Sequence, residues 1–208
     1  HVDACVGGYF LPFAEQVGVA VPAWDFRLPG VCSISADLHK YGYAPKGAST
    51  VLYRSAELAK HQPFSFDVWP SGVMTTPTLH GTRPGGAIAG AWAVLNHLGY
   101  KGFRQTTRDV LKARSAIEAG VAQLGFQSVG QPQLGLIALT HPTKDVMAIA
   151  DAMAAKGWVS SRTAVPPGIH LMLSPAHKQY AGEYLADLEA AAAAAPDATS
   201  TVSVGSYT

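Results

Sequence analysis

An α/β chain is predicted. A piece of a larger mixed-sheet domain should occupy residues 1–100, and a small α+β domain residues 101–208. Three observations carry this reading. Short runs rich in β-branched and apolar residues recur at 1–6, 31–36 and 50–54. Apolar residues at helical spacing fill much of 85–124. Beyond Gly125 the pattern alternates as β-α-β-β-α, which suits a compact α+β unit.

Residues 1–6 read as a buried strand closed by Gly7 and Gly8. Tyr9 to Phe13 is aromatic and interrupted by Pro12, and reads as a connector walling a pocket. Pro22, Pro29 and Gly30 punctuate a loop around Trp24, Asp25 and Phe26. Val31 to Ala36 is a second strand with Asp37 at its end, and Thr50 to Arg54 a third. Residues 55–80 carry many aromatics and four prolines or glycines that preclude a long helix, so an extended segment packed against protein is expected, with a partner subunit as one candidate. Gly81 to Gly86 leads into a helix with Ile88, Ala91, Trp92, Leu95 and Leu98 on one face, ended by Gly99.

A second helix is expected over 107–124, with Val110, Ala113, Ile117, Val121 and Leu124 as its apolar stripe. Leu134 to Thr140 reads as a strand. Thr143 should cap a third helix that stops at Lys156 and Gly157. Trp158 to Thr163 and Gly168 to Leu173 read as strands joined at Pro166 and Pro167. A last helix runs from Pro175 to about Ala194. The run Ala190 to Ala195 and everything from Pro196 onward read as fraying and a tail.

The composition narrows the function classes. The chain is 48% hydrophobic and 14% charged, with a formal net charge of +1. That balance generates no field suited to nucleic acid or an acidic membrane surface. No apolar run is long enough to span a bilayer. The two cysteines, Cys5 and Cys32, do not make a disulfide framework, and a reducing, cytoplasmic compartment is expected. Cys32 reads as a small core residue. His80, His97 and His141 are scattered, with no metal-ligand spacing.

Chemistry concentrates in Ser33-Ile-Ser-Ala-Asp-Leu-His-Lys-Tyr-Gly-Tyr-Ala-Pro-Lys-Gly47. A loop leaving a strand end is where open α/β proteins keep their reactive groups. Lys40, beside His39 and among Tyr41 and Tyr43, is a candidate for imine formation with a carbonyl cofactor or substrate. Asp3 sits just before a glycine turn at the end of the first strand. Gly81-Thr-Arg-Pro-Gly-Gly86 precedes a helix start, where backbone N–H groups and a hydroxyl suit an anion.

Together these stretches resemble the group II pyridoxal-phosphate-dependent decarboxylase family, within the aspartate aminotransferase-like fold type I. The His1-Val-Asp-Ala4 and Thr82-Arg-Pro-Gly85 motifs are shared with its glutamate decarboxylase-like members. The run Lys40-Tyr-Gly-Tyr-Ala-Pro-Lys-Gly47 is most similar to the sphingosine-1-phosphate lyase branch. The resemblance is strong over 1–100 and weak beyond. It implies that this chain is the C-terminal part of a fold type I enzyme, paired with an N-terminal half that supplies the rest of the cofactor site. A membrane anchor in that other part is compatible with it.

By that resemblance Lys40 holds pyridoxal 5'-phosphate and Asp3 faces its pyridine nitrogen. Cys5 packs on the ring and His39 donates to the phosphate. Gly81 and Thr82 reach a partner subunit's cofactor across a homodimer interface, with Arg83 on the phosphate or bracing that interface. Tyr41, Tyr43 and Lys46 address the substrate phosphate or the reacting hydroxyl. The implied reaction is retro-aldol cleavage of a phosphorylated amino alcohol to an aldehyde and phosphoethanolamine. Two other readings stand beside it. One is an amino-acid decarboxylase of the same fold; the other is a catalytically silent, dimer-forming fragment.

Overall fold

The computed structural model describes residues 1–198. Internal packing divides the chain into one compact unit over His1–Gln105 and a second that begins at Thr106.

The first unit is built on a three-stranded mixed sheet. Val2–Asp3 (β1) pairs in parallel with Ser33–Asp37 (β2), and β2 pairs antiparallel with Ser49–Tyr53 (β3). Ile34 and Ala36 of β2 point to the buried face, where Ala4 and Val31 join Ile34 and the half-buried Trp24 and Phe26 pack against them. Arg54 ties the preceding loop to this sheet by donating to the carbonyls of Val31, Phe26 and Leu28, with its guanidinium over the Phe26 ring.

Several expectations need correction here. The Tyr9 to Phe13 stretch is not a mere connector, because Leu11–Gln16 (α1) is a helix. Pro12 sits in its first turn, where the missing N–H costs nothing, and Phe10 and Ala14 are buried. Cys32 is exposed rather than a core residue. Regular alternation begins only at Ser33, and the chain before it turns Val31 inward instead. The segment 55–80 contains a short helix, Ala56–Ala59 (α2), capped by the Ser55 side chain, and a hairpin of Phe64–Phe66 (β4) and Met74–Thr76 (β5).

Gly85–Gln123 (α3) is one helical run broken at Gly99, whose backbone adopts φ 53° and ψ −172°. Gly99 therefore interrupts the helix as predicted, but helical structure resumes directly after it and not at residue 107. The predicted stripe of the first half is also mostly outward within this unit. Ala91 is buried, while Trp92 is 69% exposed and Ile88 58%. In the second half, Val110, Ala113, Ile117 and Val121 are buried as the spacing requires.

The second unit carries an antiparallel sheet of Gln127–Ser128 (β6), Leu136–Thr140 (β7), Ser161–Ala164 (β8) and Pro167–Met172 (β9), in the order β6-β7-β9-β8. Val146–Ala155 (α4) packs on β9 and on His177–Ala194 (α5). The cap of α4 is Asp145, not Thr143: Asp145 Oδ1 accepts from the N–H groups of Met147 and Ala148 at 2.9 and 3.2 Å. The alanine run does not fray. Ala191, Ala192 and Ala195 are buried, and the Asp145 N–H donates to the Pro196 carbonyl. The part of the expected tail beyond residue 198 lies outside the described residues. Among the described residues, no helix is long and apolar enough to cross a membrane.

The Gly99 backbone occupies a region open essentially to glycine alone, and its position has room for a Cβ. Gly99→Ala should therefore destabilise the chain by about 1–3 kcal/mol through backbone strain alone. Urea unfolding should show a lower midpoint; an unshifted midpoint would mean the break in α3 does not depend on this conformation.

Candidate active site

Parallel pairing places Asp3 opposite Ser35, so both side chains stand on the outer face of the first sheet. The same face carries Ser33 and Asp37 by the two-residue strand period. Asp3 Oδ1 accepts from the Cys5 N–H at 3.1 Å and from the Ser35 hydroxyl at 3.2 Å. The Cys5 N–H, the Cys5 thiol and the Ser35 hydroxyl together hold the Asp3 carboxyl below its ordinary value. The result is a solvent-facing carboxylate that stays ionised. In the other direction, burial and then the neighbouring Asp3 push the Cys5 thiol up. Cys5 is thus a half-buried thiol whose backbone N–H supports Asp3.

The loop after β2 is closed by its own backbone. The Ala44 N–H donates to the Leu38 carbonyl at 3.0 Å, so residues 39–43 form a tight turn between two buried anchors. Gly42 makes the closure possible: a Cβ there would lie 2.4 Å from the Leu38 carbonyl oxygen. Leu38, Ala44 and Ala48 pack together with Ala91 of α3, and this docks the loop on the helix that follows Gly81 to Pro84.

Inside that frame the predicted residues separate. Lys40 is half-buried in the turn, its N–H donating to the Asp37 carbonyl at 3.2 Å. Lys46 is exposed between Pro45 and Gly47. Neither lysine has an ion-pair partner among the described residues. Tyr41 is only 2% exposed, its ring 4.6 Å from that of Phe10, and burial pushes its hydroxyl up. It is a core aromatic, and a substrate-facing role does not fit that packing. Tyr43 stands edge-on to Tyr41 and sits at φ 56°, uncommon for a bulky residue.

His39 also differs from expectation. Its Nδ1 donates to the Ala48 carbonyl at 3.2 Å, and Nε2 lies 3.5 Å from Asp37 Oδ2. Nδ1 thus serves the loop, with Nε2 beside Asp37. Asp37 in turn accepts from the Ser49 hydroxyl at 2.6 Å. Gly81 has φ 64°, and its N–H already donates to the Thr78 carbonyl, so it offers no free donor. Thr82 is exposed. Arg83 Nε is buried and has no hydrogen-bond partner among the described residues.

The structure thus gathers Asp3 and Cys5 with Ser35 on one face, and places Lys40 inside the loop closed by Leu38 and Ala44 and Lys46 just beyond it. The segment 81–83 is linked to that loop through the packing of α3. Sequence reasoning missed Ser35, Asp37 and Ser49 as participants. The signal was present in the Ser33-x-Ser35-x-Asp37 alternation, which marks a polar sheet face in an otherwise apolar strand.

Residues 1–140 match the Pyridoxal-dependent decarboxylase conserved domain. The sphingosine-1-phosphate lyase of Arabidopsis thaliana is 40% identical over 192 residues, which is 92% of this chain and 35% of that protein. Among solved structures, the sphingosine-1-phosphate lyase of Burkholderia pseudomallei superposes with a TM-score of 0.89 at 37% identity, covering 94% of this chain and 45% of that one. Lactobacillus brevis glutamate decarboxylase does so with a TM-score of 0.73 at 25% identity, covering 92% and 46%. The chain spans about a third of the length of the curated relatives it matches.

Removing the Ser35 hydroxyl takes away one donor that favours the ionised form of Asp3. In Ser35→Ala the depressed Asp3 pKa should rise toward the ordinary carboxylate range. A carboxyl carbon NMR titration reads this directly, and an unchanged midpoint would remove Ser35 from the site.

Proposed function

The chain belongs to the pyridoxal-dependent decarboxylase family, and on that premise we propose that it forms part of a pyridoxal-phosphate-dependent lyase that cleaves the Cα–Cβ bond of a phosphorylated amino alcohol. The observation that carries the reading is the Asp3 carboxylate, ionised by its donors and presented on the same sheet whose β2 leads into the Lys40 loop. A fixed carboxylate suits a protonated pyridine nitrogen. The unpartnered, buried Arg83 Nε adds a cation that awaits an anion. The residues present therefore fit the cofactor.

Lys40 would hold the cofactor through its amine, and Asp3 would keep a proton on the ring nitrogen. Thr82 and Arg83 would meet a phosphate, with Arg83 as the fixed charge. When bound, the cofactor supplies an electron sink for the breaking bond. The amine of Lys40 is then the group placed to hold or move a proton at the reacting carbon. Lys46 is the exposed cation of the lyase-like run and would bind the substrate phosphate as a point charge. Tyr41 and His39 fix the loop that carries both lysines, and Tyr43 walls it. The substrate would be a sphingoid-type amino alcohol phosphate, released as an aldehyde and phosphoethanolamine.

A homodimer fits the large apolar side chains that the first unit leaves exposed, among them Leu79, Val68 and Trp92. In that assembly Thr82 and Arg83 would serve the partner's site, and the sequence that relatives carry beyond this span would complete each pocket. The family's amino-acid decarboxylases, represented by the glutamate decarboxylase fold match, define the competing chemistry.

In the intact protein, the visible absorbance of bound cofactor should vanish in Lys40→Ala. Lys46→Ala should keep the band and lose about tenfold to a hundredfold in kcat/KM for a phosphorylated amino alcohol, as expected for one charge-assisted contact. Retained turnover in Lys46→Ala would remove Lys46 from the substrate site, and turnover of amino acids in place of the phosphorylated amino alcohol would shift the reading to the decarboxylase. Absence of the band in every protein would leave the silent fragment.

A further inference from the structure

The second unit carries a partly open cavity of about 190 Å³ that no part of the site above uses. Its walls include Ile117, Trp158, Leu171, His177, Ala181 and Tyr184. Most of this lining is apolar, but it is not featureless.

Tyr184 is 7% exposed, and its hydroxyl is buried with no hydrogen-bond partner among the described residues. Buried hydroxyls in folded proteins nearly always have one. Burial pushes this hydroxyl up to about 12, so it remains a neutral donor at ordinary pH. The ring of Trp158 stands edge-on to it, with centroids 5.4 Å apart and planes at 88°. Trp158 is itself pinned, because its Nε1 donates to Asp187 Oδ2 at 2.8 Å and Lys156 holds Asp187 ionised from the other side. His177 accepts the Ser174 N–H on Nδ1 at 2.9 Å, which leaves Nε2 to carry the proton of the neutral ring. The cavity thus has a rigid aromatic wall, with the hydroxyls of Ser160, Tyr180 and Tyr184 and the His177 ring in its lining and no lysine or arginine.

An apolar void of roughly 150 Å³ is enough to take a benzene molecule. We propose that this cavity is a second binding site, specific for a neutral single-ring compound whose oxygen accepts a hydrogen bond from Tyr184. The absence of a lining cation disfavours a carboxylate or phosphate, and the unpartnered donor disfavours a plain hydrocarbon. The site is independent of the lyase reading, since it uses none of the residues from His1 to Arg83.

The test uses 19F NMR of the intact protein carrying 5-fluorotryptophan, titrated with phenol and, as the hydrocarbon control, toluene. Trp158→Phe assigns the reporting resonance among the tryptophan signals. Phenol should shift the Trp158 signal saturably and leave the others in place. Tyr184→Phe should weaken phenol about tenfold, to the level of toluene, which is the loss expected for one hydrogen bond. Ala181→Phe should fill the cavity and abolish the shift, while the other tryptophan signals keep their dispersion as evidence of folding. No saturable shift at Trp158 would overturn the proposal, including the case in which another segment of the intact protein already fills the cavity. Equal affinity for phenol and toluene, or an unchanged affinity in Tyr184→Phe, would overturn it as well.

Discussion

Two residue pairs of parallel strand carry much of the organisation of the first unit. Val2 lies opposite Ile34 and Asp3 opposite Ser35. A slip of one residue would send Asp3 into the apolar face and expose Val2, because neighbouring side chains on a strand alternate in direction. So short a pairing does not hold its own register. β2 is fixed from the other side by five pairs with β3, and Arg54 at the end of β3 grips the loop that feeds β2. The placement of one carboxylate is thereby inherited from a strand and an arginine that take no part in the chemistry.

The loop after β2 shows a division of labour by depth. Leu38, Tyr41 and Ala44 are buried and set the path of the chain. Lys40 and Lys46 occupy positions between and beyond these anchors, where the backbone is held but the amines have no ion-pair partner among the described residues. His39 spends its Nδ1 proton on the loop itself. Rigid support around free amines is the arrangement that reactive and anion-binding lysines require, since a mobile ammonium on a flexible stem loses entropy at each encounter.

Much of this was legible from the residues, and the failures have physical causes. The mixed sheet, the break at Gly99 and the antiparallel second unit follow from strand-forming runs, a glycine and the β-α-β-β-α order. α1 was missed because Pro12 was read as a breaker, although proline is tolerated in a first helical turn. The outward face of the first half of α3 was misjudged because periodicity finds an apolar stripe without saying what covers it. In the candidate site, motif resemblance singled out Asp3, Lys40 and the Thr82 segment. It did not foresee that Tyr41 is sealed against Phe10 or that the Gly81 N–H is already engaged, because such facts depend on through-space partners. The polar alternation along β2 was visible, yet only pairing with β1 gave Ser35 a task.

The hairpin of β4 and β5 leaves large apolar side chains uncovered. Phe64 and Met74 are exposed on it, Leu79 follows at 99% exposure, and between Pro63 and His80 the sole formal charge is Asp67. An uncharged, apolar strand edge is a ready template for any other exposed strand. Until it is covered, such a surface competes between correct association and aggregation, and the balance is set by concentration and by how long the uncovered form persists. While these strands stay uncovered, raising the concentration would favour aggregation through them.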